Sequence, residues 1–295
     1  MSQTGHGCTR WVGRSERPPT ALARPPGASI EGIRRLRRVA RVLAIANQKG
    51  GVAKTTTTQT LGLALADLGE RVLLVDLDPQ ACLTFALGLD PEQCGPTLHD
   101  VLLQRVKPAD AVIDAGRVRL LPANIDLAGS EVHLLTRTGR EHALGRALDT
   151  VRDGFDTVLI DCPPTLGVLT VNGLTAADGV LVPLQCEALS HRGVAQLLDT
   201  VADVREFTNP RLRVRGVIAT MYDPRGRLAR EVLDDVQTRF GLDVIEPPIP
   251  KTVRFAEAPG RGVSILEHAP SSAGAQAYRA IAEVLHADLR TGAAA

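Results

Sequence analysis

The sequence predicts an α/β fold: a doubly wound, mostly parallel sheet with helices on both faces, of the kind built around a nucleotide phosphate loop. Three observations predict it. Apolar runs of strand length alternate with helical patterns through residues 39–292. Several of those runs are continuously apolar, as in strands buried on both faces of a parallel sheet. The first run leads directly into a glycine-containing turn with two lysines, and that turn opens a helix.

The expected first strand covers residues 39–46, and the apolar positions Leu61, Leu63, Ala64, Leu65 and Leu68 mark the helix that follows. Further strands are expected over 71–76, 117–121, 156–161, 179–184 and 214–219. Helical patterns occupy 141–151, 189–204, 228–240 and 273–289. No internal repeat or linker interrupts the series, so 39–292 reads as one domain behind an arm, residues 1–38.

The turn reads Asn47-Gln48-Lys49-Gly50-Gly51-Val52-Ala53-Lys54-Thr55-Thr56-Thr57. Glycines let backbone N–H groups close around phosphate oxygens at a helix N-terminus. Lys54 is placed to reach the β- and γ-phosphates, and Thr55 to offer its hydroxyl to Mg²⁺. The common spacing G-x-x-x-x-G-K-[ST] fails here, because Gln48 and Ala53 occupy its glycine positions. The variant K-G-G-x-x-K-[ST] fits, with Lys49 as its additional lysine. Only four lysines stand against 30 arginines in the chain, and two of the four lie in this turn. A compact ammonium suits a crowded phosphate site better than a planar guanidinium.

Composition is that of an ordinary globular protein, 44% hydrophobic and 23% charged over 295 residues. Aromatics are 3%, which argues against a stacking platform for single-stranded nucleic acid. The net charge of +1 hides an asymmetry. Residues 1–41 hold nine Arg and two Glu, a net of +7, and the remainder is mildly acidic. The arm has few core-forming residues and reads as disordered. It could add non-specific DNA affinity or be an inert leader. No apolar run is long enough to span a bilayer, and the N-terminus lacks the apolar segment of a secretory signal. Five widely spaced cysteines form no C-x-x-C pair and no metal spacing, so each reads as a small buried hydrophobe in a reduced, cytoplasmic protein.

Ligands bind such sheets at the carboxyl ends of strands. Asp161 ends one strand and precedes Cys162-Pro163-Pro164, a position suited to a water-mediated Mg²⁺ partner. Asp76 and Asp78 end another. In extended geometry both point to one side, near a metal and an attacking water.

Lys49-Gly50-Gly51-Val52-Ala53-Lys54-Thr55-Thr56, Asp76-Leu77-Asp78-Pro79-Gln80 and Asp161-Cys162-Pro163-Pro164 together resemble the deviant Walker motifs of ParA/Soj-type partition ATPases. Met221-Tyr222-Asp223-Pro224-Arg225, Ile249-Pro250-Lys251-Thr252-Val253-Arg254 and Glu257-Ala258-Pro259 extend the resemblance in the family's order over about residues 40–290. The resemblance implies ATP and Mg²⁺ as cofactors and a weak, partner-stimulated ATPase. Lys49 is then the signature lysine that reaches the partner's phosphates across a nucleotide-sandwich homodimer. Lys54, Thr55 and Thr56 serve phosphate and metal, with Gly50, Gly51, Val52 and Ala53 completing the loop. Asp78 positions the hydrolytic water, and Asp161 holds the metal's hydration shell. Arg225, Lys251 and Arg254 form a DNA surface without sequence preference, used by the dimer on the nucleoid. A ParB-like activator is implied, and no stable membrane association.

Two departures carry physical consequences. Ala53 replaces a glycine, which costs about 1 kcal/mol if the position requires φ > 0. Gly226 replaces a threonine often found after the arginine matched by Arg225. The competing reading is a membrane-surface positioning ATPase resembling MinD, which would need a basic amphipathic C-terminal helix. Residues 278–290 have balanced charge and read instead as a helix packed on the sheet. A tyrosine kinase of this ATPase type would want a tyrosine cluster, but only Tyr222 and Tyr278 exist. No cysteine sits in a nitrogenase-iron-protein cluster motif.

Overall fold

The computed structural model describes Cys8, Arg10 and residues 40–187 and 190–291. The chain order of its elements is β1 (Arg41–Ile45), α1 (Lys54–Asp67), β2 (Val72–Asp76), α2 (Cys82–Ala86), α3 (Leu98–Leu102), α4 (Pro108–Ala111), β3 (Ile113–Asp114), β4 (Arg119–Leu121) and α5 (Leu127–Leu135). There follow α6 (Ala143–Asp149), β5 (Thr157–Asp161), α7 (Val168–Ala176), β6 (Gly179–Gln185), α8 (Ser190–Phe207), β7 (Arg213–Thr220), α9 (Arg227–Phe240), α10 (Arg254–Glu257), α11 (Ile265–His268) and α12 (Ala273–Thr291). One seven-stranded sheet has the order β3-β4-β2-β5-β1-β6-β7. All pairings are parallel except β3 on β4 at one edge. All six expected strands are present.

Side-chain alternation on the central strands separates two cores. Val42 and Ala44 of β1, Leu73 and Val75 of β2, and Val158 and Ile160 of β5 face a cluster completed by α3 to α9. Leu43, Ile45, Val72, Leu74 and Leu159 face the other, completed by α1, α2, α11 and α12. Both faces are therefore covered, which is why these strands read as unbroken apolar runs.

Two contacts seat α1, the helix behind the phosphate loop. Gly62 lets it approach β2 closely, since an added Cβ would lie 2.5 Å from Leu74 Cδ2. On its other side the Thr57 and Tyr278 hydroxyls are 2.8 Å apart, joining α1 to α12. Tyr278 also meets the Phe255 ring edge-on, with centroids 5.9 Å apart. The apolar face of α12, including Tyr278, Ile281 and Leu285, is buried on the sheet as expected from the sequence. Among the described residues no helix is long and apolar enough to cross a membrane.

The short elements α2 to α4, α10, α11 and β3, and the nine-residue helices α5 and α7, are not among the expected elements. Helices of four or five residues and a two-residue strand are too short to establish a period. The reading of 1–38 as a disordered arm lies outside the described residues, apart from Cys8 and Arg10. Cys8 is disulfide-bonded to Cys94. This corrects the reading of all five cysteines as reduced small hydrophobes. A separation of 86 residues hides the pairing from any local pattern. Cys82, Cys162 and Cys186 are free.

At the amino end of the sheet a buried ion pair ties β1 to the C-terminal helix. Arg41 Nη2 lies 3.9 Å from Glu70 Oε2, with both side chains almost fully buried. Arg41 also donates to the Leu285 carbonyl and to Thr157 Oγ1. His286 Nδ1 is 2.8 Å from Glu70 Oε1. Burial lowers the Arg41 pKa, and Glu70 opposes that shift. Glu70→Ala leaves this guanidinium without its counter-charge and is expected to cost about 3 kcal/mol, measured by urea unfolding.

Candidate active site

The carboxyl ends of three neighbouring strands are in register. Ile45 of β1 pairs with Asp161 of β5, which pairs with Asp76 of β2. The turn leaving β1 is anchored on the opposite side of that strand. Buried Asn47 donates from Nδ2 to the Pro183 carbonyl of β6 at 2.8 Å, and its Oδ1 accepts from Lys49 N at 3.0 Å. Val52 is buried, and its carbonyl accepts from Thr220 Oγ1 of β7 at 3.1 Å. The loop backbone is thus held from β6 and β7 while α1 rests on β2.

Gly51 and Ala53 both take left-handed backbone, with φ of 73° and 67°. The position of Ala53 is therefore one that glycine would occupy without strain, as the departure from the family pattern implied. Lys54, 7% exposed, begins α1 and donates from Nζ to the carbonyl of Lys49 at 3.0 Å. Burial lowers its pKa, and Asp161, Cys162 and Asp78 oppose the shift. This desolvated ammonium is folded back on its own loop, where phosphate oxygens would be stronger acceptors.

Asp161 lies beneath the loop, fully buried. Its Oδ1 accepts from Thr58 Oγ1 at 3.1 Å, while Oδ2 is buried with no partner. Burial, reinforced by Asp76, pushes its pKa up to about 8, and the neighbouring Thr55 and Thr58 hydroxyls act against this. Asp76 is also fully buried and pushed up to about 6 by burial. It accepts from Thr84 N at 2.8 Å and Thr84 Oγ1 at 2.7 Å. The expected pairing of Asp76 with Asp78 on one side is corrected here. The strand ends at Asp76, so alternation stops there, and Asp76 fastens α2 while Asp78 lines the cavity.

That cavity has a volume of about 800 Å³. Gly50, Gly51, Ala53, Lys54, Thr55, Thr56 and Asp78 line it, together with Lys251. Three of the expected residues do not. Val52 is buried as an anchor, Asp161 lies below, and Lys49 turns outward to pair with Glu187 just beyond β6. That pairing holds the Glu187 pKa below its usual value.

The sequence reading missed the cavity's apolar wall, formed by Phe85, Pro91, Met221, Ile249, Phe255 and Pro259. These residues come from four separate segments and carry no spacing signal. Two of the segments are joined by backbone. Tyr222 N donates to the Ile249 carbonyl at 2.9 Å, and Lys251 N to the Tyr222 carbonyl at 3.2 Å. This bridge brings the loop of exposed Arg225 beside exposed Lys251 and Arg254.

The donor set suits Mg²⁺. An unpartnered carboxylate oxygen on Asp161, the Thr55 hydroxyl and Asp78 converge beside the loop. Among the described residues no cluster of three or more His, Cys, Asp or Glu forms a cage. Mg²⁺ needs none, since it keeps waters and binds one or two carboxylates with substrate phosphates.

Two outcomes are expected. Ala53→Gly relieves the left-handed strain and raises stability by about 1 kcal/mol in urea unfolding. The second concerns pH in metal-free protein. The folded pKa values of Asp161 and Asp76 lie above the ordinary 3.8, so their contribution to stability is greatest at low pH. It is lost as pH rises through about 6 and about 8. Asp161→Asn is expected to flatten the upper part of that loss in thermal melts across the acidic to mildly alkaline range, and to abolish hydrolysis of nucleotide.

Residues 40–214 match the AAA_31 family, described as an AAA domain. The chromosome partitioning protein ParA of Caulobacter vibrioides is 47% identical over 246 residues, 82% of this chain and 92% of that protein. The chromosome-partitioning ATPase Soj of Thermus thermophilus is 48% identical over 248 residues, 84% of this chain and 96% of that protein. A Mycobacterium tuberculosis protein, Rv1708, is 47% identical over 285 residues, 96% of this chain and 86% of that protein. Among solved structures, one from Mycobacterium smegmatis named cobyrinic acid a,c-diamide synthase, with bound ATP analog and magnesium, is 53% identical with a TM-score of 0.78. It covers 86% of this chain and is itself covered to 97%. A Cyanothece McdA variant in complex with ATP is 25% identical with a TM-score of 0.76, over 84% of this chain and 97% of that one. The motif order, the sheet and these relatives agree: the chain belongs to the ParA/Soj family of partition ATPases.

Proposed function

We propose that this chain is an ATP-driven dimer switch that binds DNA without sequence preference and positions chromosomal or plasmid DNA. The observation that carries the reading is the placement of the two loop lysines. Lys54 is buried at the phosphate position, and Lys49 is held outside its own cavity by Glu187. A lysine directed away from its own site is available to a nucleotide bound by a second copy.

In this reading the loop backbone and Lys54 bind the β- and γ-phosphates, and Thr56 a further phosphate oxygen. The apolar wall with Phe85, Met221 and Phe255 takes the face of the base. Thr55, Asp78 and Asp161 hold Mg²⁺ and its waters, and the ion neutralises charge developing on the phosphates. Asp78 orients the attacking water. Lys49 leaves Glu187 for the partner's phosphates, so hydrolysis and dimerisation are coupled through one ammonium. The activity is weak alone and stimulated by a ParB-like protein. Arg225, Lys251 and Arg254 meet the DNA backbone on the nucleoid in the cytoplasm. Lys251 also lines the cavity, which supports a reading in which DNA is met beside the nucleotide.

The name attached to the Mycobacterium smegmatis structure supports a second reading, ATP-dependent amide formation. Hydrolysis of ATP that needs DNA and a protein activator, with no acid substrate present, discriminates against it. A membrane-surface role is disfavoured because the apolar face of α12 is already buried.

The test is DNA binding by purified protein without nucleotide, with ADP and with ATP, across a salt series. Binding is expected with ATP alone. Each phosphate that is no longer neutralised changes the slope of log K against log salt by about 0.9, so Arg254→Ala in a dimer should lower it by about 2. Lys49→Ala should abolish the ATP dependence. A Lys54→Ala variant that still dimerises and binds DNA with ATP would sink the mechanism.

A further inference from the structure

We propose that Cys8 and Cys94 form a reversible thiol–disulfide switch that anchors the N-terminal arm to the rim of the nucleotide cavity and stiffens that rim. The inference rests on the cavity being the nucleotide site.

The rim runs from Asp78 to Cys94. Asp78, Cys82, Phe85, Ala86 and Pro91 along it line the cavity. At its start it is fastened to the sheet through the Thr84 hydrogen bonds to Asp76. At its far end it is held by Cys8 and Arg10. Cys94 is bonded to Cys8, and two residues on, Arg10 forms an antiparallel bridge with Leu89. The half-buried Cys8 side chain packs against the apolar cluster that contains Leu89 and Cys94. The rim also meets the opposite wall of the cavity. Gly88, with φ of 77°, packs so closely on Gly262 that an added Cβ would lie 3.0 Å from its carbonyl oxygen. Gly262 closes the turn Pro259–Arg261, whose first residue lines the cavity. A tether at residues 89–94 therefore acts on both walls.

The Rv1708 match spans 96% of the chain and so extends into the first 39 residues, whereas the ParA match at 82% fits within the body. Part of the first 39 residues is therefore matched in that relative.

The chemistry needs only a low-molecular-weight disulfide such as oxidised glutathione. The Cys8 thiolate attacks one sulfur, the S–S bond of the reagent breaks, and a thiolate leaves. The Cys94 thiolate then attacks Cys8 Sγ and expels the second thiolate. Two protein thiols lose two protons and two electrons, and the reagent is reduced to two thiols. Dithiothreitol reverses the sequence.

The experiment uses the full chain carrying Cys82→Ser, because Cys82 is exposed and lines the cavity itself. Protein is equilibrated with oxidised glutathione or dithiothreitol, and linked peptides are mapped by mass spectrometry. Release of a fluorescent ADP analogue is then timed by stopped flow. A Cys8–Cys94 peptide should appear on oxidation, and release should slow about threefold as the rim loses freedom. Dithiothreitol should restore the rate, and a further Cys8→Ser change should remove the effect. Absence of that peptide overturns the proposal, as does unchanged release despite it or equal slowing without Cys8. Failure of the reduced protein without the Cys82 change to bind nucleotide sinks the cavity reading, and the rim's role with it. Normal binding with no effect of oxidant sinks the switch alone.

Discussion

The site depends on β1 having β5 on one side and β6 on the other, with all three strands parallel. The chain leaves β1 on one face of the sheet through α1, while the connection from β5 through α7 to β6 covers the other. Consecutive loops must diverge at such a point, and the divergence opens a crevice at the carboxyl ends. The phosphate loop occupies it because its anchors, Pro183 and Thr220, lie on strands far from β1 in sequence.

What the crevice holds is costly to the protein alone. Two carboxylates on adjacent strands are fully buried, and their pKa values rise because burial strips them of the water that would solvate their charge. Lys54 is desolvated, and its acceptor is a loop carbonyl. Ala53 is held in a left-handed conformation. The buried carboxylates and ammonium are relieved by a phosphate-bound cation and an anionic substrate, while the Ala53 strain is a steric cost of its Cβ that remains. Concentrating such buried charge at one site is how binding free energy becomes coupled to a change of state.

In the proposed dimer switch, Lys49 extends that coupling beyond one chain. Its ion pair with Glu187 is exposed and therefore weak, so exchanging it for a phosphate costs little. Arg41 with Glu70 is the opposite case, buried at the far end of the sheet and tied to α12. The two pairs show why geometry alone does not rank ion pairs. Burial decides which can be broken in function and which must persist.

The strands, the long helices and the phosphate loop were legible in the order of residues alone. Strands buried on both faces must be apolar throughout, and a loop closing on phosphate must supply small residues, ammonium and hydroxyl in fixed order. Asp161 was legible as the end of a strand, and Asp78 as lying just past one. The rest was settled by tertiary packing. Asp76 and Asp78, two residues apart, took different tasks once the strand ended between them. Val52 became an anchor and Lys49 turned away from its own cavity. The apolar wall and the grouping of Arg225, Lys251 and Arg254 arose only when β7 brought Tyr222 against Ile249 and Lys251. Cys8 met Cys94 across 86 residues. Local pattern records the environment of a residue along its own strand or helix. It carries no record of which distant segment folding will bring to that residue.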